Sequence, residues 1–414
     1  MRTRIHQTSI TLLAVGLLVA PAAALAFDPG AASYFETENY AAGSKTGGLY
    51  EAVEDCEAST EGGVVLTHST GEVRVDMAQP NTNIPDLTKC SIQGYGVGTT
   101  GASPFLTGPS VYVLENAEGE TFIRVRGNGI ELRSFGIVVE DTDASTTLID
   151  VGNGTNALAY IVIDGVKLSG TTGNTDGIGF DFDDMLKSQV SNVVSKKLHD
   201  AALISGFTAA TAIRDSAFRE SVHGMRITSS MQASRLTLDD VTYESNTTAG
   251  LKVDSGAAVY LVETGSHYEN SATAENISMD SASSHYNGRG IHFSGSVAIG
   301  DDYDRSVAIF TQRGADSCDG CSWNHGGALV SGSATRMILT NTRSIALSAT
   351  FTGDFVGNTT YTHPSSCSAG MAARKVFVFG DRCIQGTGTS ASEYACLDPG
   401  SNGWCDLSSE VVAF

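Results

Sequence analysis

The chain is poor in tryptophan, proline and positive charge. Trp323 and Trp404 are its only tryptophans in 414 residues, it has 8 prolines, and 25 Lys and Arg stand against 46 Asp and Glu. A net charge of −21 repels nucleic acid and anionic lipid and argues against both as partners. No phosphate-binding Gly-x-x-x-x-Gly-Lys-Ser/Thr pattern, dinucleotide fingerprint or nucleophile elbow occurs. Beyond the first residues, no apolar run approaches the roughly 20 residues that a membrane helix needs.

What is present begins with a leader. Arg2 and Arg4 precede an almost continuously apolar run from Ile10 to Ala20, and Ala24-Leu25-Ala26 has the small-x-small form of a cleavage site. This reads as a secretory signal peptide over residues 1–26, with a secreted, extracellular or periplasmic product. No Cys follows the cleavage site, which argues against a lipid anchor. Losing Arg2 and Arg4 takes the net charge to −23. All 8 Cys lie in the mature part, and an even count in an exported chain suggests disulfides. The 46 Gly suit a turn-rich β protein.

From about residue 120 short runs alternate apolar and polar: "FIRVRG", "IELRSFGIVV", "YIVIDGVKLSG", "MRIT" and "LKV". Such alternation means strands. The runs also repeat. Gly177-Ile178-Gly179-Phe180 recurs as Ala201-Ala202-Leu203-Ile204, then Gly224-Met225-Arg226-Ile227, then Gly250-Leu251-Lys252-Val253, in steps of 24, 23 and 26 residues. "NISM" at 276–279 is a looser copy, and the units end in polar turns such as "RES", "ESN" and "YEN". Three short strands and a return in about 24 residues make one coil of a parallel β-helix. Ile178, Ile204, Ile227 and Val253 are then expected to stack as an apolar ladder.

Solenoid ends need covering. "GGLYEAVEDCEAST" (47–60) forms an amphipathic helix with Leu49, Val53 and Cys56 on one face. Residues 351–414 lose the period and hold four Cys, which suggests a disulfide-stapled cap. The expected organisation is a leader (1–26), an N-terminal cap with the first coils (27–110), a parallel β-helix (111–350) and the C-terminal cap (351–414). The helix followed by "GGVVL" and "IQGYG" resembles the start of the pectin-lyase-like superfamily. That resemblance implies an all-β, single-stranded right-handed parallel β-helix, a fold shared by enzymes and non-enzymes.

The repeat places Asp176, Asp200 and His223 at equivalent positions on successive coils, about 4.8 Å apart. Gly179, Leu203, Arg226 and Lys252 follow on the outer face, with Asp181 and Asp254 two residues beyond. Asn174-Thr175-Asp176, His199-Asp200, Val222-His223-Gly224 and Leu251-Lys252 resemble, in degenerate form, the N-T-D, D-D, G-H-G and R-I-K motifs of the polygalacturonase family. The second motif holds one Asp instead of two, Val222 replaces a Gly, and no "RIK" is present. The resemblance implies that Asp176 and Asp200 share general-acid and water-activating roles. It also implies that His223 tunes their protonation, and that Asn174, Arg226, Lys252 and Lys187 meet the sugar. Between 185 and 252 eight basic residues outnumber six acids, a local excess suited to an anionic sugar, or simply a solvated strand face.

Other constellations stay open. Asp181, Asp183 and Asp184 in "DFDD", or Asp301, Asp302 and Asp304 in "DDYD", offer carboxylates to Ca²⁺, the one cofactor suggested, or are ordinary surface acids. Lyases of this fold use such an ion to neutralise a uronate, with Lys187, Arg226 or Lys252 as base. Cys318, Cys321 and His325 suggest zinc, or more simply a tight disulfide loop. Cys56–Cys90, Cys367–Cys383 and Cys396–Cys405 are the other pairings expected. The sequence therefore suggests a secreted carbohydrate-active β-helix protein that cleaves or binds a polysaccharide. The alternative is a non-catalytic adhesin or structural β-helix, in which the polar column is turn chemistry.

Overall fold

The computed structural model describes residues 33–293, apart from 69–70, 100–105, 142–144, 153, 155, 172–175, 233, 272–273, 282–283 and 290. Beyond them it describes the backbone of strands between 308 and 395. The leader, the "DDYD" acids, Cys321, His325, Cys367, Cys396 and Cys405 lie outside the described residues. No helix among the described residues is long and apolar enough to cross a membrane.

Each coil contributes three short strands to three parallel ladders. One coil, for example, runs through Gln189–Ser191, Val194–Lys196 and Asp200–Ser205. The first two ladders meet at a corner made by single residues of positive φ: Ser134, Gly165, Asn192, Asp215, Asp240 and Gly265. Lys197, Glu220 and Ser245 make the next corner in the same way. Glycine, and the short side chains of Asn, Asp and Ser, tolerate this left-handed conformation best, and the polar turns of the sequence are these corners.

The third ladder carries the site. Its strands are β1 (Thr121–Val125), β2 (Thr147–Val151), β3 (Ile178–Asp183), β4 (Asp200–Ser205), β5 (His223–Ile227), β6 (Ala249–Val253) and β7 (Glu275–Met279). Alternate side chains face inward. Ile149, Phe180, Ala202, Met225 and Leu251 form one buried row, and Val151, Phe182, Ile204, Ile227 and Val253 a second. Burying each large aliphatic or aromatic rung contributes about 1.5–3 kcal/mol.

The expected apolar ladder is corrected at one rung. Phe182, not Ile178, stacks on Ile204, while Ile178 pairs with Asp200. Ile178 is thus four residues from its expected rung, and the aligned repeats, which set Phe180 against Ile204, are two residues out of register. Strand side chains alternate with period two, so a two-residue slip leaves the apolar pattern unchanged. Packing chooses between the registers: Phe180 sits beside the small Ala202, and its ring lies 5.4 Å from that of Phe182.

The Gly-apolar start of the later repeats has a packing cause. A Cβ on Gly224 would lie 2.9 Å from Asn246 Nδ2, and one on Gly250 would lie 2.6 Å from Asn270 Nδ2. These asparagines form a buried ladder. Asn246 Nδ2 donates to Phe218 O at 3.0 Å and to Asn270 Oδ1 at 2.9 Å. Asn270 Nδ2 donates to Asn276 Oδ1 at 2.7 Å, and Asn246 Oδ1 accepts from the Ser221 N–H at 3.2 Å. Asn246 and Asn276 therefore occupy core positions, although both stand in Asn-x-Ser/Thr triplets. Asn246→Ala is expected to cost about 2 kcal/mol, because it strands the Ser221 N–H without water and removes the side-chain donor to Phe218 O. Chemical denaturation measures this; an unchanged midpoint would mean that the ladder contributes nothing.

At the N-terminal side, helix α1 (Leu49–Ala58) buries Leu49, Ala52, Val53 and Cys56. Cys56 is bonded to Cys90, as expected, with Cα atoms 6.2 Å apart. The neighbouring Glu57 accepts the backbone N–H groups of Thr88, Lys89 and Cys90 at 2.9, 3.1 and 3.0 Å. Helix and first coils are thus joined twice at one place. At the other end, Thr352–Gly357 and Thr360–His363 still pair in parallel, inside the segment read as a cap. The first antiparallel pair there is Arg382–Gln385 with Ser392–Ala395.

Candidate functional site

Asp200 and His223 open β4 and β5 and are Cα partners across the two strands. Both are buried, at 3% and 5% exposure, and His199 beside them is half-buried. Asp200 accepts from both rings: Oδ1 from His223 Nδ1 at 2.7 Å and Oδ2 from His199 Nδ1 at 3.0 Å. The two rings meet edge-on, with centroids 5.2 Å apart. An ionised carboxylate only accepts, so each imidazole presents Nδ1–H to it. Burial works against the charge on Asp200, but the bonds from His199 and His223 outweigh burial and pull its pKa to about 2. The same bond raises the pKa of His199, against burial, and the charge of Asp176 adds to the rise.

Arg226 stands on the same outer face. Its Nη1 is 3.8 Å from Asp200 Oδ2, while its Nε and Nη2 hold Asp254 Oδ2 at 2.9 and 2.8 Å. Lys252 is the next rung after Arg226. On the other side the row continues through Leu203 to Asp181 and Asp150. Asp181 is half-buried and, among the described residues, carries no hydrogen bond on its carboxyl. Burial, together with the charges of Asp150 and Asp183, pushes its pKa to about 6, although Arg126 pulls the other way.

The expected column of Asp176, Asp200 and His223 is corrected in one member. Ile178, not Asp176, is the Cα partner of Asp200. Asp176 is exposed in the bend before β3, close enough to His199 to act on its charge. Residues 172–175, including Asn174, lie outside the described residues. Asp183 accepts from Ser205 Oγ at 3.1 Å, and Asp184 caps the next corner by accepting the Phe207 N–H at 2.6 Å. Asp181, Asp183 and Asp184 do not bring three ligand atoms together. Among the described residues, the set that does so is His199, Asp200 and His223. Lys187 sits at the far corner, its Nζ 5.8 Å from the centre of the exposed Tyr160 ring. Of the other cations, Lys197 pairs with Glu220, Arg214 with Asp239 and Arg219 with Glu244, so much of the local positive charge is already answered.

His199 has no part in the site expected from the sequence, and Asp181 only a metal-binding one. The adjacency of His199 to Asp200 was the available signal. Nothing in the sequence showed that both His rings would turn to one carboxylate.

The repeated three-strand coils and their parallel ladders define a right-handed parallel β-helix. No family model and no curated protein matches the chain. Among solved structures, it is similar to DFA-IIIase from Arthrobacter chlorophenolicus A6 solved without its lid, with a TM-score of 0.55, 11% identity, and 82% of this chain and 97% of the other covered. The same enzyme in complex with GF2 gives 0.53, 11%, 83% and 98%. A mutant of that enzyme in complex with DFA-III gives 0.52, 13%, 78% and 84%. At these identities the likeness concerns the fold.

Proposed function

We propose that this chain is a secreted, carbohydrate-active β-helix protein that cleaves glycosidic bonds in a polysaccharide laid across the outer face of β3 to β6. One observation carries the reading. Two groups with raised pKa values, Asp181 and His199, both feel the charge of the buried, ionised Asp200, and His199 is held by it. Glycosidic cleavage needs one group to protonate the departing oxygen and another to activate water. His199, made more basic by Asp200, carries the proton. Asp181, ionised above about pH 6, takes one from water. Asp200 and His223 position His199, and the exposed Asp176 lies beside it. Lys252 and Arg226 bind the sugar. These roles differ from an acid role for Asp200, whose depressed pKa leaves it without a proton to give near neutrality. A fold shared with an enzyme crystallised with GF2 and DFA-III supports the general class of ligand.

The test is a screen of the mature protein on polygalacturonate, alginate, rhamnogalacturonan and neutral glycans. New reducing ends without ultraviolet absorbance from an unsaturated uronate are expected. Appearance of that absorbance would replace hydrolysis by elimination, with Lys252 or Arg226 as base. Silence with every glycan would favour a non-catalytic binding protein. The rate of an active enzyme is expected to rise through about pH 6 as Asp181 ionises. A profile flat across that range would remove Asp181 from the chemistry.

A further inference from the structure

We infer that His199, Asp200 and His223 form a binding site for one divalent transition-metal ion of the zinc type. Each residue offers a ligand atom, and the three atoms lie within 4.8 Å of one another. The tighter spacings are 2.7 Å from His223 Nδ1 to Asp200 Oδ1 and 3.0 Å from His199 Nδ1 to Asp200 Oδ2. Neighbouring ligands on an ion with bonds of about 2.0–2.2 Å sit about 3.0–3.5 Å apart, so modest side-chain rotation closes the set. The half-buried His199 can supply that rotation, while Asp200 and His223 are fixed by burial at the starts of adjacent strands. Ligation through Nδ1 moves each ring's proton to Nε2, and the ion takes the place of the two N–H bonds to the carboxylate.

Ligand type selects the ion. Two imidazoles and one carboxylate suit zinc, iron or nickel, whereas calcium and magnesium prefer oxygen alone. The local charge is favourable as well. Arg226, the nearest cation, is doubly bonded to Asp254, and the carboxylate of Asp176 adds negative charge near His199. Three protein ligands, one of them at the surface, leave positions open to water or substrate. Ion binding stands apart from the glycan reading. Its catalytic part rests on that reading: the ion would polarise the departing oxygen in place of the His199 proton.

The experiment uses mature protein stripped with a chelator, titrated calorimetrically with zinc chloride alone and followed by visible absorption with cobalt(II). Micromolar or tighter binding of one equivalent, with cobalt d–d bands, is expected. His199→Gln, at the half-exposed position, should weaken zinc by at least about 100-fold and abolish the bands. Asp200→Asn, close to isosteric, should do the same if His199→Gln fails to fold. Binding unchanged in a folded variant would place the ion elsewhere and overturn the assignment, and absence of binding would overturn the inference outright. Zinc binding without glycan cleavage would leave this site standing and sink the hydrolytic reading. Cleavage by a protein that binds no zinc would do the reverse.

Discussion

Asp181→Asn is expected to lower glycan cleavage by about 10²–10⁴-fold, the usual worth of a positioned acid or base. The substitution keeps shape and burial but removes a carboxyl group whose pKa is pushed to about 6. The acidic limb of the rate profile should vanish with it. Asp181 accepts no hydrogen bond among the described residues, so the fold should tolerate the change. Thermal unfolding should move little, or upward, because a buried charge is lost. A variant that keeps both rate and acidic limb would refute the role. A variant that loses rate but keeps the limb would mean that another group titrates there, with Asp181 acting only in binding. Residual activity and the pH profile together separate the cases, which either measurement alone would leave mixed.

The second large effect concerns stability. Glu263 is fully buried, at 0% exposure, in a row otherwise formed by Leu132, Ile163, Val190, Ile213 and Leu238. Tyr268 donates its hydroxyl to both carboxyl oxygens, at 2.9 and 2.8 Å, and Tyr286 donates to Oε2 at 2.7 Å. Tyr268 in turn stacks on Tyr243, with ring centroids 4.6 Å apart. Burial drives the Glu263 pKa up to about 7, and the bonds from Tyr286, Tyr268 and Ser266 only partly offset it. The folded state therefore holds a proton that the unfolded chain, with an ordinary Glu pKa near 4.3, has already released. The stability associated with this proton is complete below about pH 4 and is lost as the pH rises to about 7. The total is roughly 3–4 kcal/mol, at 1.36 kcal/mol per unit of pKa. Glu263→Gln, which cannot ionise, should lose this slope. Its stability relative to the parent should improve by roughly 3–4 kcal/mol between pH 4 and pH 8. Denaturant unfolding at several pH values measures the difference, and parallel curves for the two proteins would show that Glu263 does not titrate in this range.

These two residues mark the boundary between what the sequence carried and what it did not. Strand alternation, the step of about 24 residues and the polar corner residues are local, and they determined the β-helix and most of its ladder. The repeat also determined that Asp200 and His223 share a column, because the step of 23 residues from one to the other makes one full coil. The Cys56–Cys90 bond was legible once helix and first coil were recognised as neighbours. The register of β3 was not legible, since a two-residue slip preserves every apolar position and only the fit of Phe180 beside Ala202 distinguishes the alternatives. That slip decided that Ile178, not Asp176, faces Asp200, and that Asp181 stands in the row of Arg226 and Lys252. The burial of Glu263 was hidden for a related reason. Its charge suggests solvent, while its place two residues after Leu261 points it into the core, where two tyrosines from other strands receive it. Local pattern fixes how a strand alternates. Which rung meets which, and whether a polar side chain finds partners inside, depends on the lengths of the bends and the shapes of neighbouring coils, and only the assembled helix brings those together.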